Sequence, residues 1–132
     1  MTYLLDTHVI IFALYNSPLL KPEIDLLITD PANSILVSAV SFWEISIKSM
    51  LGKFRLEGSS LDTIPTLCEQ MNFTVIPLTP QEACSCYRLP ATPHKDPFDR
   101  MLVWQALQRG IPLISRDHRL SYYQALGARI VW

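Results

Sequence analysis

Five acidic residues stand out by where they fall. Asp6 closes the apolar run YLL and opens a helical stretch. Asp117 follows a second apolar run in LISRD. Asp96 and Asp99 flank a proline in HKDPFDR, and Glu44 sits inside AVSFWEISIKSM. Each has a structural reading. Asp6 and Asp117 suit a helix cap or a turn after a strand. Asp96 precedes Pro97, which favours the first helical position because it lacks an amide proton. Asp99 then lies in the first turn, where the helix dipole welcomes negative charge. Glu44 shares a helical stripe with Val40, Trp43, Ile47 and Leu51, and an unpaired carboxylate on a core stripe is costly. Lys48, four residues on, is its natural partner, worth ~0.3–0.5 kcal/mol if the pair is exposed. Taken together the acids also have a chemical reading. Carboxylates brought together repel and raise one another's pKa, and a divalent cation relieves that. Oxygen ligands without histidine or cysteine suit Mg²⁺ or Mn²⁺. Such ions among carboxylates support phosphodiester hydrolysis by an activated water.

For that chemistry the acids must converge, and the order of elements provides for it. Strands are expected over 3–5, 34–38, 73–78, 111–115 and 128–132. Helices are expected over 7–15, 21–29, 39–51, 61–71 (with Pro65 in its first turn), 80–88 and 97–109, the last closed by Gly110. Strands alternating with helices predict an α/β fold on a mainly parallel sheet. Ligands of such sheets collect at the C-terminal rim of the strands. Asp6 and Asp117 both follow buried strands, so both belong at that rim.

Composition narrows the classes. With 132 residues, 49% hydrophobic and 17% charged, the chain can bury a sizeable core and is not disordered in character. No apolar run approaches the ~20 residues of a membrane span, and the start MTYLLDTHV lacks the basic lead-in of a signal peptide. Cys68, Cys84 and Cys86 have no zinc spacing and read as reduced thiols of a cytoplasmic protein. The formal net charge of −1 gives no global signal for nucleic acid, but the charge is segregated. Residues 1–47 hold one basic residue against five acids, and residues 88–132 hold seven against three. A basic surface beside an acidic pocket can result.

The stretches LLDTHV (4–9), SAVSFWEISIKSMLGK (38–53), HKDPFDRMLVWQAL (94–107), LISRD (113–117) and ARIVW (128–132) together resemble the PIN-domain ribonucleases, and more closely the VapC-type toxins of type II toxin–antitoxin systems. The resemblance spans nearly the whole chain. It implies a single PIN domain over 1–132, a three-layer α/β/α sandwich around a parallel sheet of four or five strands, and Mg²⁺-dependent endoribonuclease activity with Mn²⁺ as a substitute. The acidic quartet carries over to Asp6, Glu44, Asp99 and Asp117, with Asp6 and Asp99 holding the ion most directly. Asp96, typical of the DPFDR-bearing subgroup, is either a cap or a ligand. Thr7 and Ser115 would orient the ligands. Trp104 departs from the family, which often has a small residue there.

RNA needs positive charge near the acids. Lys48, Lys53, Lys95, Arg100 and Arg116 are the candidates by proximity in sequence. Trp43 and Trp104 suit either base stacking or packing, with packing favoured by their apolar stripes. His8 and His94 are expected to pack or to hydrogen-bond an acid. The implied partners are a VapB-type antitoxin and a second copy of the chain, with DNA contacted only through the antitoxin. Other classes fit less well. A receiver domain needs adjacent acids after the first strand, and an aspartyl phosphatase needs a second aspartate at position 8, where His8 stands. An inactive PIN-fold binding module and a DNA-directed nuclease remain as alternatives.

Overall fold

The structure is a computed structural model that describes residues 1–56, 58, 60–91 and 94–132. Five strands form a wholly parallel sheet: β1 (Thr2–Leu5), β2 (Ser34–Ser38), β3 (Thr74–Ile76), β4 (Leu113–Ile114) and β5 (Ile130–Val131). Their order is β3-β2-β1-β4-β5, so β1 is central. Leu4 pairs with Leu36 on one side and with Leu113 on the other.

The strands are apolar on both faces because both faces are covered, as parallel sheets require. Alternate residues part to opposite sides. Leu4 and Leu113 pack with Leu102, Val103, Leu120 and Tyr123. Leu5, Val37 and Ile114 pack with Val9, Ile10, Ile24, Ile28 and Ile64. Helices α1 (Thr7–Leu14), α2 (Pro22–Thr29) and α4 (Ile64–Gln70) therefore cover one face, and α6 (Pro97–Arg109) covers the other. Helix α3 (Ala39–Met50) contributes to both clusters through Val40 and Ile45, and α5 (Pro80–Ser85) packs beside α6. This is the expected three-layer α/β/α arrangement.

The elements fall where the sequence places them, with instructive differences. Strand β4 is only two residues long, because Pro112 has no amide to donate, although its carbonyl still accepts from Leu4 N–H at 2.9 Å. The expected helix over 61–71 begins as a 3₁₀ turn, Leu61–Thr63, before α4, and the one over 80–88 ends as another, Cys86–Arg88. A nine-residue 3₁₀ segment, His118–Leu126, has no counterpart in the sequence reading. It is held to the core by Leu120 and Tyr123, both fully buried. Among the described residues no helix is long and apolar enough to cross a membrane.

The apolar stripe expected on α3 is corrected. Its buried face is Val40, Ser41, Glu44 and Ile45. Trp43, Met50 and Leu51 are exposed, and Ile47 only partly buried. Helix α3 also carries apolar residues off that stripe, Phe42 and Ile45, so periodicity alone does not select its inner face, and that face carries polar residues where it borders the pocket described next.

Candidate active site

All strands run in one direction, so Asp6, Ser38 and the Ser115–Asp117 loop leave the sheet at a common rim. Asp6 follows the central strand and caps α1, accepting from Thr7 N–H at 2.7 Å with Oδ1. Its Oδ2 accepts from Ser115 Oγ at 2.6 Å, and the same Ser115 oxygen accepts from Asp117 N–H at 3.0 Å. One hydroxyl thus couples the acids from β1 and β4. Thr7 Oγ1 donates to Glu44 Oε1 at 2.6 Å and lies 2.9 Å from Ser41 Oγ, which ties α1 to α3. The two polar neighbours named from sequence, Thr7 and Ser115, both orient acids.

Asp96 caps α6 with a single oxygen, Oδ1, which accepts from Phe98 N–H (2.9 Å) and Asp99 N–H (3.1 Å). Its carboxylate still lines the pocket. Asp99 Oδ2 lies 3.0 Å from His94 Nε2. Carboxylate oxygens of Glu44, Asp96 and Asp99 come within 4.8 Å of one another, and so do ligand atoms of His94, Asp99 and Asp117. Asp6, Glu44, Asp96, Asp99 and Asp117 therefore share one cavity of about 390 Å³, with His8, Ile11, Phe12, Phe54, Lys48 and Arg119 as further walls.

The electrostatics divide these acids into two kinds. Glu44, 3% exposed, is paired with Lys48 Nζ. Asp117 is gripped by Arg119 through Nε and Nη2, the latter at 2.8 Å, and this guanidinium holds its carboxyl below the usual range. Among the described residues no lysine or arginine pairs with Asp6 or Asp99. Burial, opposed by the Ser115 and Thr7 hydrogen bonds and aided by Glu44 and Asp117, raises Asp6 to about 6. Burial, then the charges of Asp6, Asp96 and Glu44, raises Asp99 to about 7. His8 does not compensate them. Its Nε2 accepts from Arg116 N–H at 3.1 Å, and burial with the Arg116 charge pushes it down to about 4, so the neutral ring turns Nδ1 toward Asp6 at 3.6 Å. The pocket is short of positive charge at Asp6 and at Asp99, and its donors are mainly hard oxygens. That donor set fits Mg²⁺ or Mn²⁺.

The basic candidates separate. Lys48 lines the cavity. Arg116 is exposed and lies 5.2 Å over the Phe12 ring at the cavity wall. Lys53 and Lys95 are exposed and do not line the cavity. Arg100 is committed to the fold, donating to Leu89 O (2.9 Å), Pro90 O (3.1 Å) and Tyr123 Oη (3.2 Å). Trp104 is buried and donates to Ser85 Oγ at 3.0 Å, whereas Trp43 is exposed, its ring edge-on to Phe98.

Two features escaped the sequence reading. Arg119 sits in the unforeseen 3₁₀ segment; its only signal in the sequence was a basic residue two after an acid. The fully buried Gln105 accepts from Ser38 Oγ (2.6 Å) and donates to Glu82 Oε1 (3.1 Å), and Glu82 in turn accepts from Arg109 Nε at 3.1 Å. This polar chain joins α5 and α6 to Ser38, the N-cap of α3.

Residues 3–126 match the family model described as PIN domain. Over 131 residues the chain is 26% identical to a protein named Ribonuclease VapC22 from Mycobacterium tuberculosis (strain ATCC 25618 / H37Rv), covering 99% of this chain and 98% of the relative. Among solved structures, VapBC-1 from nontypeable Haemophilus influenzae matches with a TM-score of 0.67 at 20% identity, covering 99% of this chain and 97% of the other. VapBC2 from Rickettsia felis, bound to a DNA fragment from its promoter, matches with a TM-score of 0.66 at 13% identity, covering 99% and 98%. At those identities the structural likeness speaks for the fold.

Proposed function

Because this chain belongs to the PIN domain family, we propose that its rim pocket is the active site of a Mg²⁺-dependent endoribonuclease, a VapC-type toxin restrained by a cognate antitoxin. The observation that carries this reading is the convergence of five acids on one cavity, in which Asp6 and Asp99 have raised pKa values and, among the described residues, no lysine or arginine partner. Carboxylates gathered in this way are destabilising unless they bind something. When bound, Mg²⁺ or Mn²⁺ supplies a Lewis acid and an activated water for phosphodiester hydrolysis.

This chain's residues do the positioning. Asp6 and Asp99 would hold the ion. Ser115 and Thr7 fix the acids around them, and Asp96 anchors the helix that presents Asp99. Glu44, paired with Lys48, and Asp117, paired with Arg119, would flank the acids that hold the ion. The relative named a ribonuclease and the VapBC likenesses support RNA as substrate and a VapB-type partner. The exposed Trp43, Met50 and Leu51 on α3 suit a second copy of the chain. Three free cysteines fit a cytoplasmic site of action.

The test is cleavage of total RNA by the purified protein with Mg²⁺, Mn²⁺ or chelator, beside Asp6→Asn and Asp99→Asn proteins prepared identically. Metal-dependent cleavage of discrete RNAs, lost in both variants, is the expected result. Cleavage that persists in chelator, or equally in both variants, overturns the assignment.

A further inference from the structure

We propose that Arg119 is a substrate-binding residue: it holds Asp117 in the ion-free protein and exchanges that carboxylate for a phosphate of the RNA backbone. The inference rests on the ribonuclease reading and adds to it a residue that the motifs do not single out.

The pocket presents five carboxylates to an incoming polyanion, so the chain must place positive charge at its mouth. Among the described residues, Lys48 and Arg119 are the lysine and arginine side chains that line the cavity. Lys48 is not available for exchange. Its partner Glu44 is 3% exposed, and withdrawing the ammonium would leave that buried carboxylate with Thr7 Oγ1 as its donor and no cation. Arg119 and Asp117 are both more exposed than Lys48 and Glu44. Its side chain is 67% exposed, so leaving Asp117 costs it little solvation. Asp117 keeps a donor when the guanidinium goes, because the Arg119 backbone N–H also reaches Oδ1 at 3.0 Å. It keeps Ser115 as well, which accepts from its own N–H.

The fork geometry fits the exchange. Nε and Nη2 together span both oxygens of Asp117 (3.0 and 2.8 Å), and Nη1 makes no hydrogen bond among the described residues. Two non-bridging oxygens of a phosphodiester offer that fork the same spacing as a carboxylate. The backbone beneath it is fixed. Asp117 caps the 3₁₀ segment, and Leu120 and Tyr123 bury it. A firm base under an exposed side chain lets the guanidinium move without moving the acids.

The test has two arms. In the first, a labelled single-stranded oligoribonucleotide is titrated by fluorescence anisotropy against the Asp99→Asn protein, alone and combined with Arg119→Ala or Arg119→Lys, over a range of salt. We expect Arg119→Ala to weaken binding about tenfold and to reduce the slope of log K against log salt by about 0.7, one phosphate contact on a single strand. Arg119→Lys restores the slope but not the full affinity. In the second arm, Arg119→Ala alone is assayed for cleavage and raises KM about tenfold with kcat within about twofold. Unchanged affinity and slope overturn the proposal. So does a fall in kcat at constant KM, which would mean that Arg119 acts only by holding Asp117. Failure of the unaltered protein to cut any RNA overturns the ribonuclease reading, while the binding arm still decides for or against Arg119.

Discussion

If Asp99 is held ionised at a cost, then removing its charge must stabilise the ion-free protein. Its folded pKa, about 7, lies above the ordinary 3.8. The folded state therefore binds more protons than the unfolded chain between those values, and stability falls as pH rises through that window. At about 1.4 kcal/mol per factor of ten, the full cost above pH 7 is about 4 kcal/mol. Asp99 and Asp6 interact, so part of that cost belongs to the pair. Asparagine also keeps a polar contact to His94, and a gain of about 2 kcal/mol is the reasonable expectation for Asp99→Asn at pH 8 in chelator. At pH 5 the unaltered carboxyl is already protonated in the folded state, so the gain shrinks to less than about 1 kcal/mol. The assay is urea unfolding of both proteins at pH 5 and pH 8, with chelator and with saturating Mn²⁺. The ion should stabilise the unaltered protein by about 2.7 kcal/mol at a hundred times its Kd, and the variant hardly at all. An Asp99→Asn protein that is less stable at pH 8 in chelator, or whose advantage is the same at both pH values, refutes the reasoning.

Further outcomes follow from other contacts. Asp96→Asn keeps the helix cap and should hold stability within about 0.5 kcal/mol, whereas Asp96→Ala should cost about 1 kcal/mol; if the asparagine protein loses Mn²⁺ binding by calorimetry as fully as Asp99→Asn does, Asp96 is a direct ligand as well as a cap. Gln105→Leu leaves Ser38 Oγ and Glu82 short of partners in the core and should cost about 2 kcal/mol in urea unfolding; a neutral result would show that the polar chain is dispensable. Gly110 closes α6 at φ +64 with open space around it, so Gly110→Ala should cost about 1 kcal/mol by backbone strain alone, read as a lower thermal midpoint with unchanged metal binding.

The fold was legible because its signals are local. Asp96-Pro97 and Gly110 bracket α6 as expected, and Leu4-Leu5 and Ile35–Val37 mark strands buried on both faces. The acids were legible because each follows or opens an element whose direction the parallel sheet dictates. What stayed hidden depends on long-range company. Trp43, Ile47 and Leu51 have the spacing of a core stripe, yet the inner face of α3 carries Ser41 and Glu44, since their partner Thr7 arrives from another helix. Arg100 stands beside the acid motif but turns into the fold, toward Leu89 O and Tyr123 Oη. Arg119 reaches the pocket through a 3₁₀ segment whose hydrophobic pattern has neither a helix nor a strand period.

The hydrogen bond from Ser115 to Asp6 joins positions 109 apart in the chain, and this has a bearing on the order of folding. At the outer edge of β4, Leu113 N–H donates to Arg129 O and Ser115 N–H to Val131 O, which joins the strand to residues 129–131. Until residues 129–131 have paired, β4 is held in the sheet by β1 alone. Contacts of such long span form late, since loop closure precedes their reward. The acid cluster is thus joined by some of the most distant contacts in the chain, and it is completed after the local elements have formed.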